Sequence, residues 1–271
     1  MISLVSLEKR IQEWAKLLPS GLKTPIGSKV VYFSKVDSTN LFIKNNPDLP
    51  SGTIVIAKEQ TTGKGQRTRK WISNPGGLYC SFKLEILTEN FISPFWYTTA
   101  AILGVCNIIE QLGLNPEIKW PNDILISGKK ICGSLGETKI TNDTCMVILG
   151  IGINVNNSLD SIYEEFPDLE NKITSIAQEI NREVEIISIL KQIVKIIDYY
   201  WYQGFNITEL KKEWLKYSSI LGRDVSLKEI DTETVQQVKI LDLTDSGSLL
   251  VEDCSKKKFE ITSGEVSLNL L

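Results

Sequence analysis

The chain of 271 residues contains no histidine. That single absence removes Ser-His-Asp and Cys-His nucleophilic catalysis, imidazole acid–base chemistry and histidine-ligated metal sites. The five cysteines, Cys80, Cys106, Cys132, Cys145 and Cys254, are odd in number and far apart, with no C-x-x-C pair. Such spacing suggests neither a metal site nor a disulfide framework, and the expected role is that of buried small hydrophobes in a reducing compartment. No apolar run reaches the length of a membrane span, so no membrane partner is expected. Residues 1–5 lack a basic region before an apolar stretch, so the reading is a cytoplasmic protein without a secretory signal. A basic excess is missing too: the net charge of −3 argues against a generic nucleic-acid binder. Neither G-x-x-x-x-G-K-[ST] nor G-x-G-x-x-G occurs. Chemistry is left to Lys, Arg, carboxylates, amides and backbone N–H groups, an inventory that suits a reaction run by positioning and charge stabilisation. Phosphoryl or nucleotidyl transfer is of that kind.

What is present is an ordinary globular composition, 42% hydrophobic and 23% charged, long enough for one large domain and one small one. Residues 3–18 carry apolar side chains at helical spacing, stopped by Pro19-Ser20-Gly21. Residues 30–33 and 53–57 read as strands, and Asp37-Ser38-Thr39-Asn40 offers a helix N-cap between them. Residues 78–86 alternate and predict a half-buried strand; 96–112 predict a long apolar helix; 124–126 and 131–135 predict a hairpin about Ser127-Gly128. A buried strand over 145–155 carries Gly150-Ile151-Gly152-Ile153-Asn154. Helices are expected over 184–202 and 208–217. Short strands follow from 225 onward, with Asp245-Ser246-Gly247 as the clearest turn, and a small β-barrel is the best reading of this tail.

The most informative stretch is Gly63-Lys64-Gly65-Gln66-Arg67-Thr68-Arg69-Lys70-Trp71. Four cations, two glycines and a tryptophan without apolar periodicity have almost nothing to bury. Glycine lets backbone approach a ligand closely, and the cations draw a polyanion towards it. A second candidate is Lys119-Trp120-Pro121-Asn122-Asp123, where a strand runs into a turn. A strand lysine usually points to solvent, but one at the mouth of a sheet suits a fixed phosphate clamp. Gly128-Lys129-Lys130 through Gly133 and Gly136-Glu137 joins a basic turn to strand glycines, which signal either a bulge or a close approach.

Taken together these segments resemble the biotin protein ligase family, in a short form lacking the N-terminal DNA-binding domain. The matching pieces are Asp37–Asn40 (Asp37-Ser38-Thr39-Asn40), Gln60 with the basic glycine loop and Trp71, the Lys-Trp-Pro-Asn-Asp run, the 130–137 segment, Gly150 through Asn154, and Ser263-Gly264-Glu265-Val266-Ser267-Leu268. The resemblance implies an α+β (α/β) fold: a mixed-sheet catalytic domain of class II aminoacyl-tRNA synthetase type over residues 30–220, preceded by an N-terminal helix and lead-in over 1–29 and followed by a small SH3-like β domain over 221–271. It implies ATP-dependent activation of biotin to biotinyl-5′-AMP and transfer to a lysine of a biotin carboxyl carrier protein, with Mg²⁺ required, no DNA partner and a homodimer through the sheet edge. A lipoate or octanoate ligase or transferase of the same fold is the second reading, and a biotin-sensing module that does not bind DNA the third.

The same resemblance assigns roles. Lys119, Arg67 and Arg69 are the implied catalytic residues. Ser38, Thr39, Asn40, Gln60, Lys64, Gly65, Gln66, Lys119 and Gly133 are implied for biotin, with Gly133 leaving room for its valeryl chain. Lys64, Arg67, Arg69, Trp71, Lys119, Asn122 and Asn154 are implied for ATP or adenylate. Trp71 packs against ligand, braces the loop or belongs to the core; Asp123 or Lys119 tunes the acceptor amine. No protein-bound metal is expected. The family usually has arginine at the positions of Lys64 and Gln66. Lysine keeps the charge but loses the bidentate fork, and glutamine loses the charge.

Overall fold

The computed structural model describes residues 6–18, 21–66, 69–218, 220–228, 235–262 and 265–268. Seven strands form one mixed sheet: β1 (Val30–Phe33), β2 (Ile54–Ala57), β3 (Leu78–Leu87), β4 (Pro116–Lys119), β5 (Asp123–Ile126), β6 (Lys129–Ile140) and β7 (Thr144–Ile153). Their order is β1-β2-β3-β7-β6-β5-β4, with β1 and β2 parallel and the other neighbours antiparallel. The Ser127-Gly128 turn has both residues at positive φ, 50° and 79°, which suits the right-handed twist of a two-residue hairpin.

One face of the sheet carries the main core. The long α3 (Pro94–Gln111) lies against it, buried at every position from Trp96 to Cys106, as expected of a helix that is apolar all round. After the short α4 (Asp160–Glu165) and α5 (Ile176–Ile180), α6 (Ile186–Tyr202) and α7 (Ile207–Tyr217) pack behind α3, each with an apolar stripe. A Cβ on Gly104 would lie 3.2 Å from the Ile193 backbone, so glycine lets α3 and α6 approach closely. α1 (Leu7–Leu17) begins at a Ser6 cap and buries Ile11 and Trp14. The lead-in after it is held by Asp198 on α6, whose carboxylate accepts from Thr24 N at 2.8 Å, Thr24 Oγ1 at 2.7 Å and Lys23 N at 3.0 Å.

The opposite face is covered in part by α2 (Thr39–Asn45), with Ile43 packed on Val55 and Ile148. This corrects one expectation: β3 is buried on both faces from Leu78 to Leu84, not half-buried. The period-two pattern identifies its apolar face, but the other face is buried by tertiary contacts that satisfy polar groups. Lys83 is the extreme case, its ammonium donating to Pro47 O at 2.6 Å, to Leu49 O and to Glu85 Oε1 at 2.8 Å.

A second, antiparallel sheet follows: β8 (Asp224–Lys228), β9 (Val235–Leu243), β10 (Leu249–Asp253), β11 (Lys258–Ile261) and β12 (Glu265–Leu268), in the order β11-β10-β9-β8-β12. Its Asp245-Ser246-Gly247 turn is seated on the first unit. Trp96 Nε1 donates to Asp245 O at 2.6 Å and Trp120 Nε1 to Gly247 O at 3.0 Å. Gly247 sits at φ +83°, and a Cβ there would stand 2.3 Å from Phe95 Cγ. Gly247→Ala is therefore expected to cost about 1–3 kcal/mol through backbone strain and overpacking, lowering the thermal midpoint by several degrees. An unchanged melting curve would remove this turn from the docking surface.

Candidate active site

One register row crosses four strands on the α2 side of the sheet: Lys119 opposite Asp123, Asp123 opposite Gly133, and Gly133 opposite Gly152. Residues paired in register point to the same face, so a cation and a carboxylate stand beside a floor with no side chains. Trp71 lies on that floor. A Cβ on Gly152 would be 2.5 Å from the indole, and one on Gly133 would be 3.1 Å from it. The glycines answer the choice posed by the sequence: here they serve close approach. Gly150 does the same for Asn40, whose Oδ1 is 2.3 Å from the position of the missing Cβ.

Lys130 reaches the Trp71 ring beside Gly133, its Nζ 5.2 Å from the ring centroid and 2.7 Å from Asp123 Oδ1. The register shift between Ile124 and Leu125 breaks the β5–β6 pairing beside it. Its backbone is held by Lys172 O at 2.8 Å and Thr174 N at 3.0 Å. The Lys119 side chain, half-buried, has no ion-pair or hydrogen-bond partner among the described residues. The Trp120–Pro121 peptide is cis, and Asn122 secures the turn by donating its side-chain amide to Ser134 O while Ser134 N donates to Asn122 O at 3.1 Å.

The polar end of the site is built from the α2 N-terminus. Ser38 caps the helix with its hydroxyl accepting from Leu41 N. Gln60 Oε1 accepts from Thr39 N at 2.8 Å, and Gln60 Nε2 donates to Ser73 Oγ at 2.9 Å. Ser81 Oγ lies 2.6 Å from both Thr39 Oγ1 and Asn40 Oδ1. Asn40 Nδ2 donates to Glu137 Oε2 at 3.1 Å, and Lys44 Nζ pairs with Glu137 Oε1 at 2.9 Å. Burial pushes the Glu137 carboxyl up, but hydrogen bonds from Lys44 and Asn40 and the charges of Lys44 and Lys64 outweigh it, so the group stays below the usual carboxylate range.

The basic loop closes one side. Trp71 N donates to Gly63 O at 2.9 Å, Lys64 bridges Lys70, and Gly65 N donates to Arg69 O at 2.8 Å, so the segment folds back as a small hairpin. Arg67 lies outside the described residues. The cavity, open to solvent on one side, is about 200 Å³. Lys64, Arg69, Lys70, Lys119 and Lys130 line it against one carboxylate, Asp123, so a locally cationic site sits in a chain of net charge −3. A second cavity of about 600 Å³ shares Gln66, Trp120 through Asn122, Ser134 and Leu135 with the first and continues to the turn around Gly247.

The structure thus brings together Ser38, Thr39, Asn40, Gln60, Lys64, Gly65, Gln66, Arg69, Trp71, Lys119, Asn122 and Gly133 around one cavity. Asn154 is not among them: it is buried, with its amide donating to Thr174 O at 3.0 Å and its Oδ1 accepting from Asn157 Nδ2 at 3.2 Å. Lys130, Ser81 and Glu137 escaped the sequence assignment. The basic turn at Lys129-Lys130 was a signal for the first; nothing local marks the other two. The cysteines are all unpaired, and burial pushes the Cys80 and Cys132 thiols up, which makes them poor nucleophiles. Among the described residues no cluster of three acidic or cysteine side chains could hold a metal, and no helix is long and apolar enough to cross a membrane.

Residues 31–154 match the model of the biotin/lipoate A/B protein ligase family. The bifunctional ligase/repressor BirA of Bacillus subtilis is 32% identical over 239 residues, covering 86% of this chain and 72% of that protein. Biotin–protein ligase 1, chloroplastic, of Arabidopsis thaliana is 26% identical over 247 residues, 87% of this chain and 65% of the relative. A biotin protein ligase from Aquifex aeolicus, solved in complex with biotin and ATP, superposes with a TM-score of 0.71 at 29% identity, over 89% of this chain and 98% of that one.

Proposed function

The chain belongs to the biotin/lipoate A/B protein ligase family, and from that premise we infer that it is an ATP-dependent biotin protein ligase. The observation that supports this most directly is the polarity of the cavity. Hydrogen-bonding groups for a neutral polar ring (Thr39, Gln60) stand on the α2 side, and Lys119, without a counter-ion among the described residues, lines the same cavity from β4. Thr39 and Gln60 offer polar atoms suited to a urea, which a dithiolane or an alkyl chain would leave unsatisfied.

In the first step a biotin carboxylate oxygen attacks the α-phosphorus of ATP. The new P–O bond gives biotinyl-5′-AMP, and the bond to pyrophosphate breaks. Charge accumulates around phosphorus and the leaving group, which is where Lys119, Arg67 and Arg69 act in this reading, with Lys64 and Trp71 completing the adenylate enclosure and Asn122 bracing the turn. A carboxylate needs no general base. In the second step a neutral acceptor lysine attacks the mixed anhydride at its carbonyl carbon; the amide forms and AMP leaves. Asp123, already paired with Lys130, is the only carboxylate among the described residues that line the cavity, and these residues build no dedicated Mg²⁺ cage. The metal would arrive on the triphosphate as part of the substrate.

In the same reading the catalytic unit spans 30–220 and resembles the class II synthetase type, the C-terminal sheet is an SH3-like domain over 221–271, and the acceptor is a biotin carboxyl carrier domain. Incubation with ATP, Mg²⁺, biotin and such a domain should add one biotinyl group to one lysine by mass spectrometry. An unlabelled carrier would overturn the assignment. Gln66, exposed and uncharged on the loop, is expected to hold the adenylate less firmly than an arginine would. Gln66→Arg should slow biotinyl-AMP release by about tenfold, the worth of one charge-assisted hydrogen bond, and equal off-rates would dispose of that idea.

A further inference from the structure

We propose that Glu260, at the solvent end of the second cavity, captures the acceptor lysine as an ammonium before it reaches the adenylate. The inference rests on the biotin ligase reading above and adds to it a residue that acts in the second step alone.

The two adjoining cavities differ in charge. The first is lined by Lys64, Arg69, Lys70, Lys119 and Lys130 against Asp123. In the second, Glu260 alone among the described lining residues is charged, and the others are hydroxyl, amide, apolar or glycine residues. Trp120, Pro121, Asn122, Ser134 and Leu135 belong to both linings, so one space leads into the other. Substrates of opposite charge sort themselves between such spaces. The anionic adenylate belongs with the cations. An acceptor lysine, cationic in neutral solution, meets five like charges in the first cavity and none among the described residues of the second.

Glu260 stands on β11 opposite Leu250, is exposed, and lines the second cavity only. Its carboxylate has no ion-pair or hydrogen-bond partner among the described residues. Lys258, the next residue on that face of the strand, stands opposite Glu252 and lines neither cavity. The carboxylate is therefore open to an ammonium arriving from outside.

Capture and reaction need opposite protonation states of the lysine, and the change of charge along the path favours each in turn. Glu260 favours the ammonium at the solvent end. Further in, five cations outnumber Asp123 and the single phosphate charge of biotinyl-AMP, which favours loss of one proton to solvent. The neutral Nζ attacks the anhydride carbonyl carbon and the amide bond forms. The carbon–oxygen bond to AMP breaks, AMP leaves with the bonding pair, and a second amine proton passes to solvent.

The test separates the two half-reactions in the full chain. Glu260→Gln should form biotinyl-AMP, followed by pyrophosphate release, at the native rate, because position 260 lies outside the first cavity. Its KM for a biotin carboxyl carrier domain should rise about threefold to fivefold at low ionic strength with kcat unchanged, the worth of one exposed ion pair. Added salt should erase the difference. Glu260→Asp should stay near native, and Glu260→Lys should raise KM about tenfold. Glu13→Gln makes the same change of net charge at an exposed position of α1 that lines neither cavity, and should leave KM unaltered. Hydroxylamine, uncharged in neutral buffer, should consume enzyme-bound biotinyl-AMP equally fast in native and Glu260→Gln proteins. An unchanged carrier KM in Glu260→Gln overturns the proposal, as does an equal loss with hydroxylamine. Native protein that forms no biotinyl-AMP overturns the ligase reading, and this inference with it.

Discussion

Lys119→Ala is expected to lower kcat/KM for biotinyl-adenylate formation by roughly 10²–10³-fold while leaving the fold intact, in line with removal of one preorganised charge at a reacting centre. Two features of the structure separate these effects. The Lys119 side chain has no partner among the described residues, so its loss leaves no buried charge uncompensated. Its backbone, in contrast, is fixed opposite Asp123 at the end of β4, which holds the ammonium at the cavity and is unaffected by truncation beyond Cβ. Lys130 differs: its removal strands Asp123 and uncovers the Trp71 ring, so that variant confounds catalysis with stability. Lys119→Arg should recover only part of the activity, since the guanidinium fork differs in shape from a point charge. Pyrophosphate release measured beside a thermal melt decides the matter. Activity within an order of magnitude of native, or a collapsed melt, would sink this account of Lys119.

Gly152→Val carries the second large effect. A Cβ alone at 152 would lie 2.5 Å from the Trp71 indole, and valine adds two methyl groups to that contact. The sheet is too well connected there to yield, because Gly152 pairs with Gly133 on one side and Tyr79 on the other. Trp71 must therefore leave its seat, taking with it the Trp71–Gly63 end of the basic hairpin. Overpacking of this kind costs about 1–3 kcal/mol, and if it is all expressed in ligand binding, biotin affinity should fall roughly tenfold to a hundredfold. Gly133→Ala provides the graded control, since its Cβ would be 3.1 Å from Trp71 and 3.2 Å from the flexible Lys130 side chain. Titration calorimetry should rank native above Gly133→Ala above Gly152→Val. Equal affinities would mean that Trp71 does not need its glycine floor.

The parts of this site legible in the sequence are those whose chemistry is local. The absence of histidine, the cations and glycines of 63–71, the lysine before a Pro-Asn-Asp turn and the Ser-Thr-Asn cap each follow from a few adjacent residues. The hairpin turns at Ser127-Gly128 and around Gly247 were legible for the same reason, since turn geometry depends on the residues inside it. Less legible was which of two neighbouring lysines faces the cavity. A strand alternates, and the irregular β5–β6 register at Ile124/Leu125 lies where Lys130 turns over Trp71. Asn154 shows the converse, a polar residue in a suggestive glycine motif that the structure uses to hold Thr174.

The sequence by itself therefore determined the family resemblance, the reaction class and the residues of the two phosphate-seeking segments, because composition and short motifs carry chemistry directly. Only the tertiary structure decided that Lys119, Asp123, Gly133 and Gly152 form one row, that Trp71 lies on the glycines, and that Glu137 and Ser81 complete the polar end. Asn40 is 97 residues from Glu137 and 41 from Ser81. Contacts at that separation depend on how strands pair and helices pack, and no local spacing encodes them.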